Sequence, residues 1–483
     1  MSELGSLALH TDKYEINMMY AHWLNGTHMR KAVFDVYIRK LPFDNGYAVF
    51  AGLERIVEYL QQLSFTEEEI AYLAEAERYD PAFLDYLRQL RFTGDLWSVR
   101  EGEIVFANEP WIRVEAPAGE AHLIETALLN MMNYQTLVAT KAARIRQAAG
   151  NDTLLEFGSR RAQEVDAAIW GTRAAYLAGF DATSNLKAAM MFGIPSAGTH
   201  AHAWVQMHDS ELEAFQRFAA ALPEQTTLLV DTYDTLRSGI PNAIETAKRL
   251  AEQGKKLNAI RLDSGDLAYL SIRAREMLDA AGLHDVKIAA SSDLDEFTII
   301  HLKTQGARID QWGVGTRLIT CEGQPSLGGV YKLAARERED GTMEPALKIS
   351  SNPAKISTPG IKNVYRIISE DTGKAIADYV CLADEGDLSD AQEIKLFNPE
   401  HPYLSRKVRR FRAVPLLGKV IENGRLISPL PSLTDSRAYH QERKTEFWPE
   451  YMRTMNPEVY HVHLSEQLWT LKRTLIERYS IRR

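Results

Sequence analysis

Residues 12–25 place Ile16, Met19, Tyr20 and Trp23 at helical spacing, forming one apolar stripe. Asp12 and Glu15 stand as a capping box would, and Gly26 as a stop. From Lys31 to Arg39 the period shortens to two: Phe34, Val36 and Ile38 share a face, predicting a half-buried strand. A turn-rich loop at 41–46 leads to helical patterns near 52–63, 66–77 and 81–90, then to strand patterns within 94–116. This order predicts an α+β domain over residues 1–118.

From 119 to 149 the pattern is that of one long helix with a basic last stretch, Lys141, Arg144 and Arg146, suited to the negative helix C-terminus. After Gly150 strands and helices alternate. Strand patterns fall at 153–157, 178–181, 193–197, 227–231, 258–262, 286–290 and 310–314, with amphipathic segments in the intervals. Such alternation predicts an α/β domain over 119–327 with a parallel sheet or barrel. Seven strands are one short of a regular barrel, so an irregular (β/α) barrel, or one completed from elsewhere, is expected. Near Gly328 the alternation stops. Antiparallel patterns at 330–333, 346–349, 364–368 and 376–380 are expected partly to rejoin the first domain's sheet, so that strands from about 328–381 complete it. Residues 382–483 form a C-terminal extension with helices near 435–453 and 466–478, the second capped by Ser465.

The 483 residues are 45% hydrophobic and 25% charged, ordinary for a globular protein with a sizeable core. A net charge of -9 provides no global field for nucleic acid, so an anionic substrate needs locally placed arginines. Only Cys321 and Cys381 are present, which excludes a disulfide framework and a cysteine-rich zinc module. Met1 to His10 lacks the pattern of a signal peptide, and no apolar run approaches the ~20 residues of a membrane span. A cytoplasmic location, without membrane or nucleic-acid partners, is expected.

Chemistry collects where the predicted strands end, the side of a parallel sheet or barrel on which active sites lie. Those ends read Phe157-Gly158-Ser159-Arg160-Arg161, Asp181-Ala182-Thr183-Ser184, Gly198-Thr199-His200-Ala201-His202, Asp231-Thr232-Tyr233-Asp234, Leu262-Asp263-Ser264-Gly265-Asp266, Ser291-Ser292-Asp293 and Gly313-Val314-Gly315-Thr316. Any one is an ordinary turn or N-cap; seven in register point to a shared site. Gly313, Gly315 and Thr316 suit a backbone anion cradle, with Ser291, Ser292 and Asp293 from the preceding strand end. Arg160 and Arg161 suit phosphate or carboxylate. Asp263 and Asp266 admit ribose hydroxyls, a magnesium-bound pyrophosphate, or simple capping. Arg261, inside an apolar strand, needs a carboxylate from substrate or protein. His200 and His202 admit a metal pair, or one imidazole acting as nucleophile or proton carrier.

Together with Thr11-Asp12-Lys13-Tyr14-Glu15 and Gly179-Phe180-Asp181-Ala182-Thr183-Ser184-Asn185, these motifs resemble the nicotinate phosphoribosyltransferases, type II phosphoribosyltransferases of NAD synthesis. The resemblance spans roughly residues 11–333, in order. It implies an N-terminal α+β sandwich, an irregular α/β barrel, and a homodimer with active sites shared between subunits. It implies conversion of nicotinate and 5-phosphoribosyl 1-pyrophosphate to nicotinate mononucleotide and pyrophosphate, with magnesium and with coupled ATP hydrolysis. His202 corresponds to the transiently phosphorylated histidine, whereas His200 is assigned no role. Tyr14 and Phe157 would stack on the nicotinate ring, and Arg261 would meet substrate carboxylate or ribose. Arg160 would contact phosphates and Asp263 the ribose. Thr199 and Thr316 are binding positions, and Ser292, Asp293, Gly313 and Gly315 surround the 5′-phosphate. Thr183 stands where the nicotinamide-using relatives carry an aspartate. A hydroxyl can donate to nicotinate where a carboxylate would repel it, which favours the acid. The alternatives are a nicotinamide phosphoribosyltransferase and, in another class, a metal-dependent barrel hydrolase with His200 and His202 as ligands.

Overall fold

A computed structural model describes residues 5–397, 403 and 405–480. The chain divides into two compact units, Met1–Leu137 with Ser326–Arg483, and Val138–Pro325. The boundary falls inside the helix Glu125–Ala149, which a short break at Ile124 separates from the helix Ala118–Leu123. The single long helix of the sequence pattern is therefore two.

In the first unit the alternating segment becomes the strand Lys31–Ile38, which pairs antiparallel with Gly329–Glu337 on one side and Ile112–Pro117 on the other. The tail contributes here too. The strand Gly418–Glu422 pairs with Asp95–Ser98, and Phe411–Pro415 and Val462–Leu464 flank the hairpin of Lys362–Ser369 and Ala375–Leu382. Residues 382–483 are thus not a free-standing extension. The pattern at 346–349 forms no strand; Met343–Pro345 takes the edge position. The helix Lys13–Leu24 begins after Asp12, but that side chain does not cap it. Its Oδ2 instead accepts the Thr126 hydroxyl at 2.8 Å, so the expected capping box is not made. Ser465 does cap the last helix, accepting Leu468 N–H at 3.0 Å. Among the described residues no helix is long and apolar enough to cross a membrane.

The second unit is built on six parallel strands: β1 Thr153–Glu156, β2 Ala182–Thr183, β3 Thr227–Leu229, β4 Ala259–Leu262, β5 Lys287–Ser291 and β6 Gln311–Val314. Their order is β2-β1-β6-β5-β4-β3, a half-barrel sheet. Two expected strands fail for identifiable reasons. Residues 178–181 are used to stop the helix Val165–Leu177: Phe180 N–H returns to Ala175 O and Gly179 N–H to Tyr176 O. That turn needs Gly179 at φ +121°, where a Cβ would lie 2.9 Å from the Arg146 side chain. The strand therefore starts only at Ala182. Residues 193–197 make a single bridge, Ser196 to Thr183, because Gly193 caps the preceding helix in the left-handed region and Pro195 has no N–H to give.

This stub is what rounds off the sheet. On one side Thr183 N–H donates to Pro195 O and Ala197 N–H to Thr183 O. On the other, Leu229 N–H of β3 donates to His200 Nε2 at 3.2 Å. An imidazole stands where a neighbouring strand would present a carbonyl. Its tautomer is fixed, since Nδ1 lies 3.3 Å from Ala201 O, an acceptor only. His200 is buried and packs edge-on against Phe218, and burial pushes its pKa down to about 4.

The neutral ring makes a pH-dependent contribution. The folded-state pKa lies below the ordinary 6.5, so the contribution is complete above pH 6.5 and is lost as pH falls toward 4. Replacing His200→Gln should cost about 1 kcal/mol at pH 7.5. Because the variant lacks the titration, which is worth about 3 kcal/mol over the full window and about 2 kcal/mol by pH 5, the gap to wild type should close and then reverse as pH is lowered to 5. Urea unfolding at both pH values measures this; a constant gap would show that His200 is not held neutral.

Candidate active site

The C-terminal ends of the six strands carry the polar residues singled out in the sequence. At the centre is Arg261 on β4. Its Nε donates to Ser291 Oγ at 2.8 Å, Nη1 to Thr199 Oγ1 at 3.0 Å and Nη2 to Asp263 Oδ1 at 2.8 Å. The hydroxyl protons have definite destinations: Ser291 donates to Asp263 Oδ1 and Thr199 to His200 O. The need for a counter-charge inside an apolar strand is thus met within the protein, by Asp263. Three of the five guanidinium N–H groups are used, leaving two for a ligand.

Asp263 is held from a second side. Its backbone N–H donates to Asp231 Oδ2 at 2.9 Å, and Ser264 donates to the same oxygen at 2.7 Å. Asp231 Oδ1 is buried with no hydrogen-bond partner among the described residues. Its neighbour Thr232 bonds His202 Nδ1 at 3.1 Å, and His202 Nε2 lies 4.0 Å from Asp263 Oδ2. His202 starts the short helix His202–Gln206 with 41% of its side chain exposed, against a buried His200 two residues earlier. The two histidines do not make a metal pair. Both nitrogens of His200 are engaged, and among the described residues no group of three His, Cys, Asp or Glu side chains could hold an ion. The hydrolase alternative loses its ligand set.

Phe157 follows β1, and its ring centroid is 5.5 Å from the Arg261 guanidinium carbon. Gly313 in β6 makes room for it: a Cβ there would come within 2.6 Å of the ring. A Cβ on Gly315 would lie 3.0 Å from Phe157 O. These glycines are required by packing against Phe157. Thr316 opens the four-residue helix Thr316–Ile319. After β5, Ser292 and Asp293 are exposed and both have positive φ, +97° and +43°. Non-glycine residues held in this region cost on the order of 1–3 kcal/mol each and cluster at functional loops. Arg160 and Arg161 lie exposed on the turn Ser159–Arg161, with no ion pair among the described residues. Asp266 caps the helix Leu267–Ala280 through Tyr269 N–H, the ordinary duty of an N-cap. Tyr14 belongs to the first unit, in the first turn of its helix, and is 51% exposed.

Thr183 corrects one expectation. It is buried, and its hydroxyl donates to Glu156 Oε2 at 2.6 Å while its oxygen accepts Asn185 N–H at 3.0 Å. Its single proton is spent inside the protein and is not offered to a ligand. Glu156 also accepts Gly158 N–H and lies 2.9 Å from the Thr172 hydroxyl. Burial pushes its pKa up, and the hydrogen bonds from Thr183, Gly158 and Thr172 pull it back. Glu156 and the anchoring roles of Ser291 and Asp231 were not singled out from the sequence. The usable signal was a glutamate closing the apolar run of β1, where a carboxylate needs donors.

Comparison with known proteins identifies the family. Family models for nicotinate phosphoribosyltransferase match in three parts: the N-terminal domain at residues 9–133, the family's central region at 153–321 and the C-terminal domain at 361–472. The nicotinate phosphoribosyltransferase of Bacillus subtilis (strain 168) is 53% identical, covering 97% of this chain and 94% of that protein. The Caenorhabditis elegans nicotinate phosphoribosyltransferase is 35% identical over 96% of this chain and 92% of its own length. The crystal structure of human nicotinic acid phosphoribosyltransferase superposes with a TM-score of 0.85 at 31% identity, covering 96% of this chain and 99% of that one. A nicotinate-nucleotide pyrophosphorylase from Pyrococcus furiosus shares the fold, with a TM-score of 0.69 at 24% identity over 91% of this chain and 95% of that one. The chain belongs to the nicotinate phosphoribosyltransferase family.

Proposed function

We propose that this chain transfers the 5-phosphoribosyl group of phosphoribosyl pyrophosphate to nicotinate, giving nicotinate mononucleotide and pyrophosphate in NAD biosynthesis, with ATP hydrolysis coupled through phosphorylation of His202. The observation that carries the reading is the accessible His202 imidazole beside Asp263, itself clamped by Arg261, Ser291 and Asp231. Departure of pyrophosphate leaves positive charge on the ribose carbon, and a fixed carboxylate offsets it without reorganising. Asp263 is that carboxylate. The two unused N–H groups of Arg261 face the same region and suit a substrate carboxylate or ribose oxygen. Phe157 offers a ring face for the pyridine, and Tyr14 is a second stacking side chain, supplied by a neighbouring copy. Arg160 is free to meet phosphate, with Thr199, Thr316, Gly313, Gly315, Ser292 and Asp293 lining the phosphate side. Thr183 is left out of direct contact. Selection of the acid over the amide rests on the relatives' activity, not on the Thr183 hydroxyl.

Magnesium fits the donor set: Asp231, with a spare buried oxygen, and Asp263 are the hard ligands that would hold it, and a magnesium site commonly takes only one or two carboxylates, the rest from water and phosphate. When bound it offsets the charge of the leaving pyrophosphate. A homodimer is supported by Leu186, Met190 and Met191, exposed on the helix Leu186–Phe192 that follows β2. Two buried, unpaired cysteines support a reducing, cytoplasmic setting.

Incubation with nicotinate, phosphoribosyl pyrophosphate, magnesium and ATP should yield the mononucleotide, with nicotinamide a much poorer substrate; chromatography of the products decides both points. Light scattering should return twice the 54.5 kDa chain mass. His202→Ala should lose stimulation by ATP while keeping slow ATP-independent turnover. A variant that ATP still stimulates fully would remove the phosphohistidine from the reading.

A further inference from the structure

We propose that Glu156 is the positioning residue of the pyridine end of the site: it fixes the turn that carries Phe157 and turns the Thr183 hydroxyl away from the ligand. The inference rests on the transferase reading and assigns a duty to a side chain that does not itself reach the substrate.

Glu156 is the last residue of β1 and is 1% exposed. Its two oxygens divide the work. Oε1 accepts the N–H of Gly158, two residues on, closing the turn with Phe157 at its middle. The ring so placed lies over Gly313 and beside Arg261, contacts that leave it little room to shift. Gly158 is itself confined: a Cβ there would come within 2.7 Å of Ile319 and 2.9 Å of Gly315 O. Oε2 accepts the Thr183 hydroxyl at 2.6 Å and lies 2.9 Å from the Thr172 hydroxyl on the helix Val165–Leu177. Thr172 shares its proton with Ala168 O at 2.8 Å, so Thr183 is the firmer donor. One carboxylate therefore ties the ends of β1 and β2 and the helix between them. A buried carboxylate costs folding free energy that an apolar side chain of similar size would not. In return it gives orientation: each hydrogen bond has one possible direction, because a carboxylate only accepts.

Glutamine in its place has the same shape but one acceptor oxygen and an NH₂ group that must find an acceptor. The hydroxyl of Thr183 can meet that NH₂ only by reversing, which releases its proton. Whichever way the amide faces, either the ring-bearing turn or the Thr183 hydroxyl loses its fixed direction.

The test uses initial rates of the full chain with each substrate varied in turn. Glu156→Gln should raise the KM for nicotinate about tenfold, as loss of a charge-assisted hydrogen bond would, with kcat and the KM for phosphoribosyl pyrophosphate within about threefold. Thr183→Val should raise the nicotinate KM in the same way and Thr183→Ser should not. The Glu156→Gln/Thr183→Val double variant should be no worse than Glu156→Gln alone. A nicotinate KM unchanged in Glu156→Gln overturns the proposal. So does a variant in which kcat and both KM values worsen together with a lowered unfolding temperature, the signature of mere loss of structure. If Glu156→Gln does not fold, the Thr183 pair decides: valine and serine behaving alike overturns it. A wild-type chain that forms no mononucleotide overturns the transferase reading as well, whereas an active wild type with an indifferent Glu156→Gln overturns this inference alone.

Discussion

The second unit depends on one constraint: a half-buried guanidinium placed within an apolar parallel strand. Arg261 cannot lose its charge and cannot be left without acceptors. It solves this by reaching three strand ends at once, Ser291 of β5, Asp263 beyond β4 and Thr199 in the stub that rounds off the sheet. The geometry of the site follows from that solution. Asp263 is fixed because Arg261 needs it, and Asp231 then fixes Asp263 from below through its backbone N–H. Orientation is spent in advance, in folding, which is the condition under which a carboxylate can stabilise a developing cation without rearranging. Replacing only one member of such a network leaves the others short of partners, so its energies are not separable into single contacts.

The irregularity of the barrel serves the same end. A full strand at 193–197 would hydrogen-bond along its length and carry Thr199, His200 and His202 with strict alternation of faces. The stub makes one bridge and then turns, so that His200 goes inward to take Leu229 N–H while His202 comes outward at the head of a short helix. Two histidines that look equivalent in sequence are thereby given opposite environments. One is desolvated, neutral and structural; the other is open to solvent and lies within 4.0 Å of a carboxylate. Desolvation, not residue type, separates them.

What could be read from the chain depended on whether the signal was local. Strand ends in a parallel sheet converge by topology, so a run of polar and glycine-rich ends located the site without any knowledge of distances. Patterns that compete with another local demand were misread. At 178–181 the apolar run belongs to a helix stop that Gly179 makes possible, and at 346–349 the edge of the sheet was already taken three residues earlier. Asp12 looked like a cap and serves Thr126, 114 residues away. Glu156 escaped notice, and Asp231 was read only as a strand-end residue, for a related reason: their meaning lies in partners, Thr183 and the Asp263 N–H, that periodicity cannot pair with them. Thr183 shows the converse error. Its residue type was right for donating to a carboxylate, and it does donate to one, but to Glu156 within the protein.

Three carboxylates at the strand ends of the second unit raise the question of which is free to act. Glu156 is withdrawn behind Thr183 and spends its acceptor capacity on protein donors. Asp231 gives one oxygen to the Asp263 loop and keeps the other unpartnered. Asp263 gives Oδ1 to Arg261 and Ser291, and its Oδ2 faces His202. On the proposed reading this last pairing has a consequence for coupling. A phosphoryl group on His202 carries about two negative charges and would stand against the Asp263 carboxylate. Like charges at such a distance repel, the more so once bound substrate excludes water from them, and positive charge placed between them offsets the repulsion. The ribose cation of the transition state supplies such charge at the moment of transfer. The phosphorylated site would then bind the transition state better than the ground state, which is the condition for a phosphate on the enzyme to accelerate chemistry and not merely tighten binding.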